Sequence, residues 1–136
     1  MNNNQTPAAD RAAQLDSMFE KMVGALIKPG ADIVRSLTPG RANALHMAVG
    51  VSGEAGELLD AVKKYVIYDK PVDSENIIEE LGDLEFYMQG LRAVFGITRE
   101  QTIQANIAKL SKRYHTGAYT DNQAQERADK AEEGGQ

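Results

Sequence analysis

Two short runs of this chain put acids where a helix ordinarily keeps packing residues. In "GVSGEAGELLDAVKK", residues 50–64, Glu54 and Glu57 stand three apart among Gly50, Gly53 and Gly56. In "ENIIEELGDLEFYM", residues 75–88, Glu80 and Asp83 repeat that spacing beside Gly82. On a helix this spacing puts both side chains on one face, within reach of a single ion. If the two helices pack antiparallel, four carboxylates converge. Such a set repels itself and gathers protons unless a cation answers it. All-oxygen donors in that number suit a hard divalent ion, magnesium first and manganese as the alternative. One such pair alone is most often a solvated helix face. Two pairs on consecutive helices, each with glycine neighbours, balance a metal site evenly against that simpler reading. The chain has only two histidines, so a histidine-rich centre is excluded. The di-iron bundle pattern, which needs Glu-x-x-His on two helices, is absent too.

Magnesium held by carboxylates usually has a phosphate partner. Positive charge for one lies downstream, in "NIAKLSKRYHTGAY", residues 106–119. Asn106, Lys109 and Arg113 fall at spacings of three and four and share a helical face, with Tyr114 next to them. Lys109 and Arg113 suit phosphate oxygens, and Asn106 suits a base or a phosphate. The competing view is a helix surface kept in water by scattered cations. Lys63, Lys64 and Lys70, just past the first acidic pair, carry the same ambiguity. No G-x-x-x-x-G-K-[ST] phosphate loop is present. His46 lies close to whole helical turns before Glu54 and Glu57, but it reads better as a histidine at the core edge than as a catalytic group.

The elements that must position these residues are helical. Residues 1–5 read as frayed. Thr6-Pro7 reads as an N-cap with a first-turn proline, opening a helix that carries Leu15, Met18, Met22 and Leu26 and stops near Lys28. "ADIVRSL" is either a short helix or an irregular link. Thr38-Pro39 repeats the cap signal and starts a helix over about 39–67, roughly 40 to 45 Å long. The glycines along it line up small surfaces, so a neighbouring backbone is expected to come close. Asp73 or Ser74 caps the next helix, which ends near Gly96. Thr98 with Gln101 forms a capping-box pattern for a last long helix whose apolar face is Ile103, Ile107 and Leu110. After Tyr119 the chain turns polar and part of it is expected to be mobile, although Ala124 and Ala128 are able to extend a short helix. The expected architecture is an all-α bundle with two long antiparallel central helices, completed by oligomerisation because one chain cannot cover their apolar faces. The divisions are 1–37 for the N-terminal helix and connection, 38–120 for the catalytic core and 121–136 for the tail.

Composition narrows the rest. The 136 residues suit one domain and include no cysteine, so thiol catalysis, disulfides and cysteine-ligated metals are out. Net charge is -5, which argues against a nucleic-acid partner. Ten of the 20 acids lie between Glu54 and Glu85, a clustering that is costly unless water, lysine or a metal ion answers it. No apolar run is long enough to span a membrane. The opening "MNNNQTPAADRAAQ" lacks a basic region followed by an apolar stretch, so no secretory signal is expected and the cytoplasm is the default compartment.

"GEAGELLDAVKK", then "IIEELGDLEFYM", then "NIAKLSKRY" together resemble the MazG-like all-α nucleoside triphosphate pyrophosphohydrolases, in their short single-domain bacterial or phage form. The resemblance covers roughly residues 40 to 120, on the pattern E-x-x-E, a spacer, then E-x-x-D. It implies a helical bundle assembled as a homodimer or homotetramer. It implies magnesium-dependent cleavage of a nucleoside triphosphate between its α and β phosphates, giving a nucleoside monophosphate and pyrophosphate. Glu54, Glu57, Glu80 and Asp83 match the metal-binding set, and Asn106, Lys109, Arg113 and Tyr114 look like the nucleotide-holding set. His115 stands where many relatives have proline. Glu54 or Glu57 would take the proton of the attacking water, and Glu79 would either support the ligands or form an outer salt bridge. The other class of reading is an inactive helical adaptor that binds nucleotide or a host protein through the same surface.

Overall fold

The structure, a computed structural model, describes residues 8–130. The cap signal at Thr6-Pro7 and the frayed start lie outside them. Among the described residues every regular element is helical: α1 (Ala8–Leu26), α2 (Gly30–Ser36), α3 (Pro39–Val66), α4 (Ser74–Phe95), α5 (Arg99–Arg113), α6 (Asp121–Glu126) and a 3-10 turn, Ala128–Lys130. The protein is all-α. No described helix is long and apolar enough to cross a membrane.

The chain divides into two compact units, one up to Thr38 and one from Pro39 onward. In the first, α1 presents Leu15, Met18, Phe19 and Met22 as an exposed apolar stripe. The ambiguous "ADIVRSL" is helical, and Arg35 pairs with Asp32 one turn before it.

In the second unit the local signals set the boundaries. α3 begins at Pro39 and runs unbroken through Gly50, Gly53 and Gly56 for 28 residues. Asp73 caps α4 by accepting the Asn76 N–H at 3.1 Å. Gly96 ends α4 at φ 64, a left-handed conformation that glycine adopts without strain. Thr98 and Gln101 form the full capping box of α5: Thr98 Oγ1 accepts the Gln101 N–H at 3.1 Å, and Gln101 Oε1 accepts the Thr98 N–H at 2.7 Å.

α3 and α4 form the principal packing of the unit. Their register shows in the glycines. A Cβ on Gly90 would overlap the Met47 thioether, and a Cβ on Gly50 would overlap the Tyr87 ring. Position 47 thus meets 90 and position 50 meets 87, so the helices run antiparallel. The next seam positions, at spacings of three and four, are 54 and 57 on α3 and 83 and 80 on α4. The glycines beside the acids behave differently from expectation. A Cβ on Gly53, Gly56 or Gly82 would meet nothing within 4 Å. Close approach is made at Gly50 and Gly90, one to two turns away, because there a large side chain crosses the seam.

Very little of this unit is enclosed. Ala61 is the one buried apolar side chain among the described residues. Leu59, Phe86 and Ile78 are 65–70% exposed. Ile103, Ile107 and Leu110, the expected inner face of α5, are exposed as well. α5 packs instead against the 3-10 turn and α6.

Candidate functional site

The seam brings acids together where it leaves the Gly50–Tyr87 contact. Glu54, Glu57 and Glu80 each offer a carboxylate oxygen, and these oxygens lie within 4.8 Å of one another. Their surroundings differ. Glu80 is 7% exposed, Glu54 is half-buried and Glu57 faces solvent. Glu80 is fixed by its own helix: Asn76 Nδ2, one turn earlier, donates to its Oε1 at 2.7 Å. Asp83 is exposed and outside this group of three, yet its charge is felt there. Burial pushes the Glu54 carboxyl above the usual range, and the negative charges of Glu57, Asp83 and Glu80 push it further, as does a hydrogen bond shared with Glu80. That strain on Glu54 is what a cation would relieve. The donor set is entirely oxygen, so it fits a hard divalent ion and offers nothing to a soft one.

Around the cluster, Glu79 is exposed. His46 sits one turn before Gly50 and meets the Tyr87 ring edge-on, at 6.1 Å between centroids. Lys63 and Lys64 share Asp60, at 3.0 and 2.9 Å, and Lys63 also lies over the Tyr68 ring.

The downstream set divides. Asn106 and Lys109 are exposed on α5. Arg113 is drawn into a pair that the sequence did not advertise. Its Nε and Nη2 donate to the two carboxylate oxygens of Asp129 at 2.7 and 2.8 Å. Asp129, on the 3-10 turn, has a side chain only 2% exposed. The hydrogen bonds from Arg113 hold the Asp129 carboxyl well below the usual range, and those to Asp129 raise the Arg113 guanidinium. Tyr114 caps α5 and packs on Tyr119 at 5.7 Å between centroids. Gln123 is buried in the same corner, with its Nε2 donating to Thr116 Oγ1 at 3.0 Å. The polar segment after Tyr119 is therefore docked on α5. Its one advance signal was the alanine pair at 124 and 128, which says nothing about the role of Asp129.

Residues 43–117 match the family model of the MazG nucleotide pyrophosphohydrolase domain. The chain belongs to this family. No match emerged from comparison with curated proteins or with solved structures. The MazG segment contains the three clustered glutamates, Asp83, the α3–α4 connection and all of α5. α1, α2, α6 and Asp129 lie outside it.

Proposed function

We propose that the protein is a magnesium-dependent nucleoside triphosphate pyrophosphohydrolase, with manganese as a substitute metal. Water oxygen bonds to the α phosphorus, the bond from that phosphorus to the α–β bridging oxygen breaks, and pyrophosphate leaves with that oxygen. The products are a nucleoside monophosphate and pyrophosphate. The observation that carries this reading is the convergence of Glu54, Glu57 and Glu80 oxygens on one helical hairpin inside the MazG segment.

Glu54, Glu57, Glu80 and Asp83 would hold the metal. A bound divalent ion supplies neutralising charge for the phosphate oxygens and a more acidic water. The residues of the chain do the rest. Glu80, buried and held by Asn76, keeps one ligand position fixed. Glu57, facing solvent, is placed to admit substrate. Glu54 or Glu57 takes the proton of the attacking water. Asn106, Lys109, Arg113 and Tyr114 contact the nucleotide. The Asp129 pair uses Nε and Nη2 of Arg113, which leaves the Nη1 edge for a phosphate oxygen.

The exposed apolar faces of α3 and α4 support assembly as a homodimer or homotetramer, and the cytoplasm is the compartment where its substrates are found. The test is pyrophosphate release from a panel of triphosphates, with magnesium, with manganese and with EDTA. Metal-dependent release is expected. No release from any member would replace this reading with an inactive adaptor.

A further inference from the structure

The α3–α4 seam continues past the acids. Ala61 follows Glu57 by four residues, about 6 Å of helix rise. Ala61 is buried and lines a cleft together with Asn76, the residue bonded to Glu80. Beyond them the connection folds back, with the Lys70 N–H donating to the Lys64 carbonyl at 3.2 Å. Asp69 takes a left-handed φ of 50 in that turn. The cleft so formed has a volume of about 450 Å³, and Lys64, Tyr68, Lys70, Pro71 and Asp73 complete its lining.

We propose that this cleft receives the β and γ phosphates of the triphosphate, the part that departs as pyrophosphate. The inference rests on the acid cluster being the hydrolytic site. Placement is the first ground. The cleft is the next step of the seam that carries the acids, and Asn76 belongs to both: it lines the cleft and donates to Glu80. A phosphate chain whose α phosphorus lies at the glutamates reaches the cleft without leaving the hairpin. Charge is the second ground. Lys64 and Lys70 give the lining two cationic side chains against one acid, Asp73. Lys64 shares Asp60 with Lys63, whereas Lys70 has no carboxylate at ion-pair distance among the described residues. Its ammonium is therefore available to an anion. Asp73, the acid in the lining, is committed to the Asn76 backbone N–H. Size is the third ground, since the volume lies within the range of small-ligand pockets. Lys70 and Lys64 thus stabilise the charge that builds on the leaving group.

The test uses inorganic pyrophosphate as the probe, by calorimetry in the presence of magnesium, alongside triphosphate kinetics and manganese binding by electron paramagnetic resonance. Lys70→Ala should weaken pyrophosphate binding and raise KM by about tenfold, the scale of one charge-assisted bond. The double variant with Lys64→Ala should lose more. Manganese binding should stay as in the wild type, because the carboxylates are untouched. Lys70 is exposed and in no ion pair among the described residues, so its variant leaves the fold intact. Pyrophosphate affinity and KM within twofold of wild type in the double variant, with manganese still bound, would overturn the proposal. A wild-type protein that binds no manganese, or hydrolyses no triphosphate, would overturn the reading beneath it.

Discussion

At the scale of single residues, the acid cluster is a set of charges that the metal-free protein holds together at a cost. Glu54 shows it: burial and three neighbouring acids raise its carboxyl. The folded chain therefore binds that proton more readily than the unfolded chain. Without metal, stability should rise as pH falls through the raised value, the reverse of ordinary acid denaturation. Glu57→Gln removes one of the repelling charges at a solvent-facing position. We expect hydrolysis to fall by about a hundredfold or more, the scale of several kcal/mol of lost charge stabilisation. We expect the melting temperature in EDTA to hold or rise. Full turnover in Glu57→Gln and Asp83→Asn alike would remove these acids from the site. Asp129 runs the other way. Its folded pKa is depressed by Arg113, so its contribution to stability is complete above the ordinary carboxylate value of about 3.9 and is lost as pH falls through the depressed one. Asp129→Asn should lower the melting temperature at neutral pH and flatten its decline below about pH 4. An unchanged acid limb would mean that another carboxylate governs it. The acids were legible in the sequence because helical spacing alone puts i and i+3 on one face. Asp129 was not, because its partner is sixteen residues away and no periodicity links a 3-10 turn to the end of α5.

At the scale of elements, the helices were readable from their punctuation. Pro39 opens α3, and Asp73, Gly96 and the Thr98–Gln101 box mark the ends of α4 and the start of α5 through backbone hydrogen bonds that only certain residues can satisfy or release. What glycine does inside α3 was not readable. Three glycines at equal spacing look alike in sequence, but only Gly50 among them has a ring pressed against it. Which of them is needed depends on the opposite helix, and Tyr87 and Met47 were not distinguishable beforehand as the side chains that cross. The consequence can be measured. Gly50→Ala should destabilise the protein by about 1–3 kcal/mol, as overpacking does, because the Tyr87 ring is rigid. Gly90→Ala should cost less, since the Met47 thioether can swing aside. Chemical unfolding of both variants checks the order, and equal losses would show that the backbone rather than the side chains limits the approach.

At the scale of the whole molecule, a single chain encloses little. Ala61 is the lone buried apolar residue among those described, while Leu45, Val49, Leu59, Ile78 and Phe86 stand exposed on the two central helices. Apolar surface of this extent is ordinarily covered. Light scattering at micromolar concentration should therefore give a mass of two or four chains, and a strictly monomeric mass would contradict the proposed assembly. The fold was legible because helix spacing is written within one chain, as the match over residues 43–117 bears out; what covers the exposed helical faces is not written there. The hairpin has one more consequence. All three clustered glutamates, and the cleft beyond them, come from α3, α4 and the connection between them, within a single polypeptide. Each copy therefore carries its own acid set, whatever the number of copies. If wild-type chains are unfolded and refolded together with Glu57→Gln chains, specific activity should decline in direct proportion to the variant fraction. A curve bowed below that line would mean that one silent chain disables its neighbour.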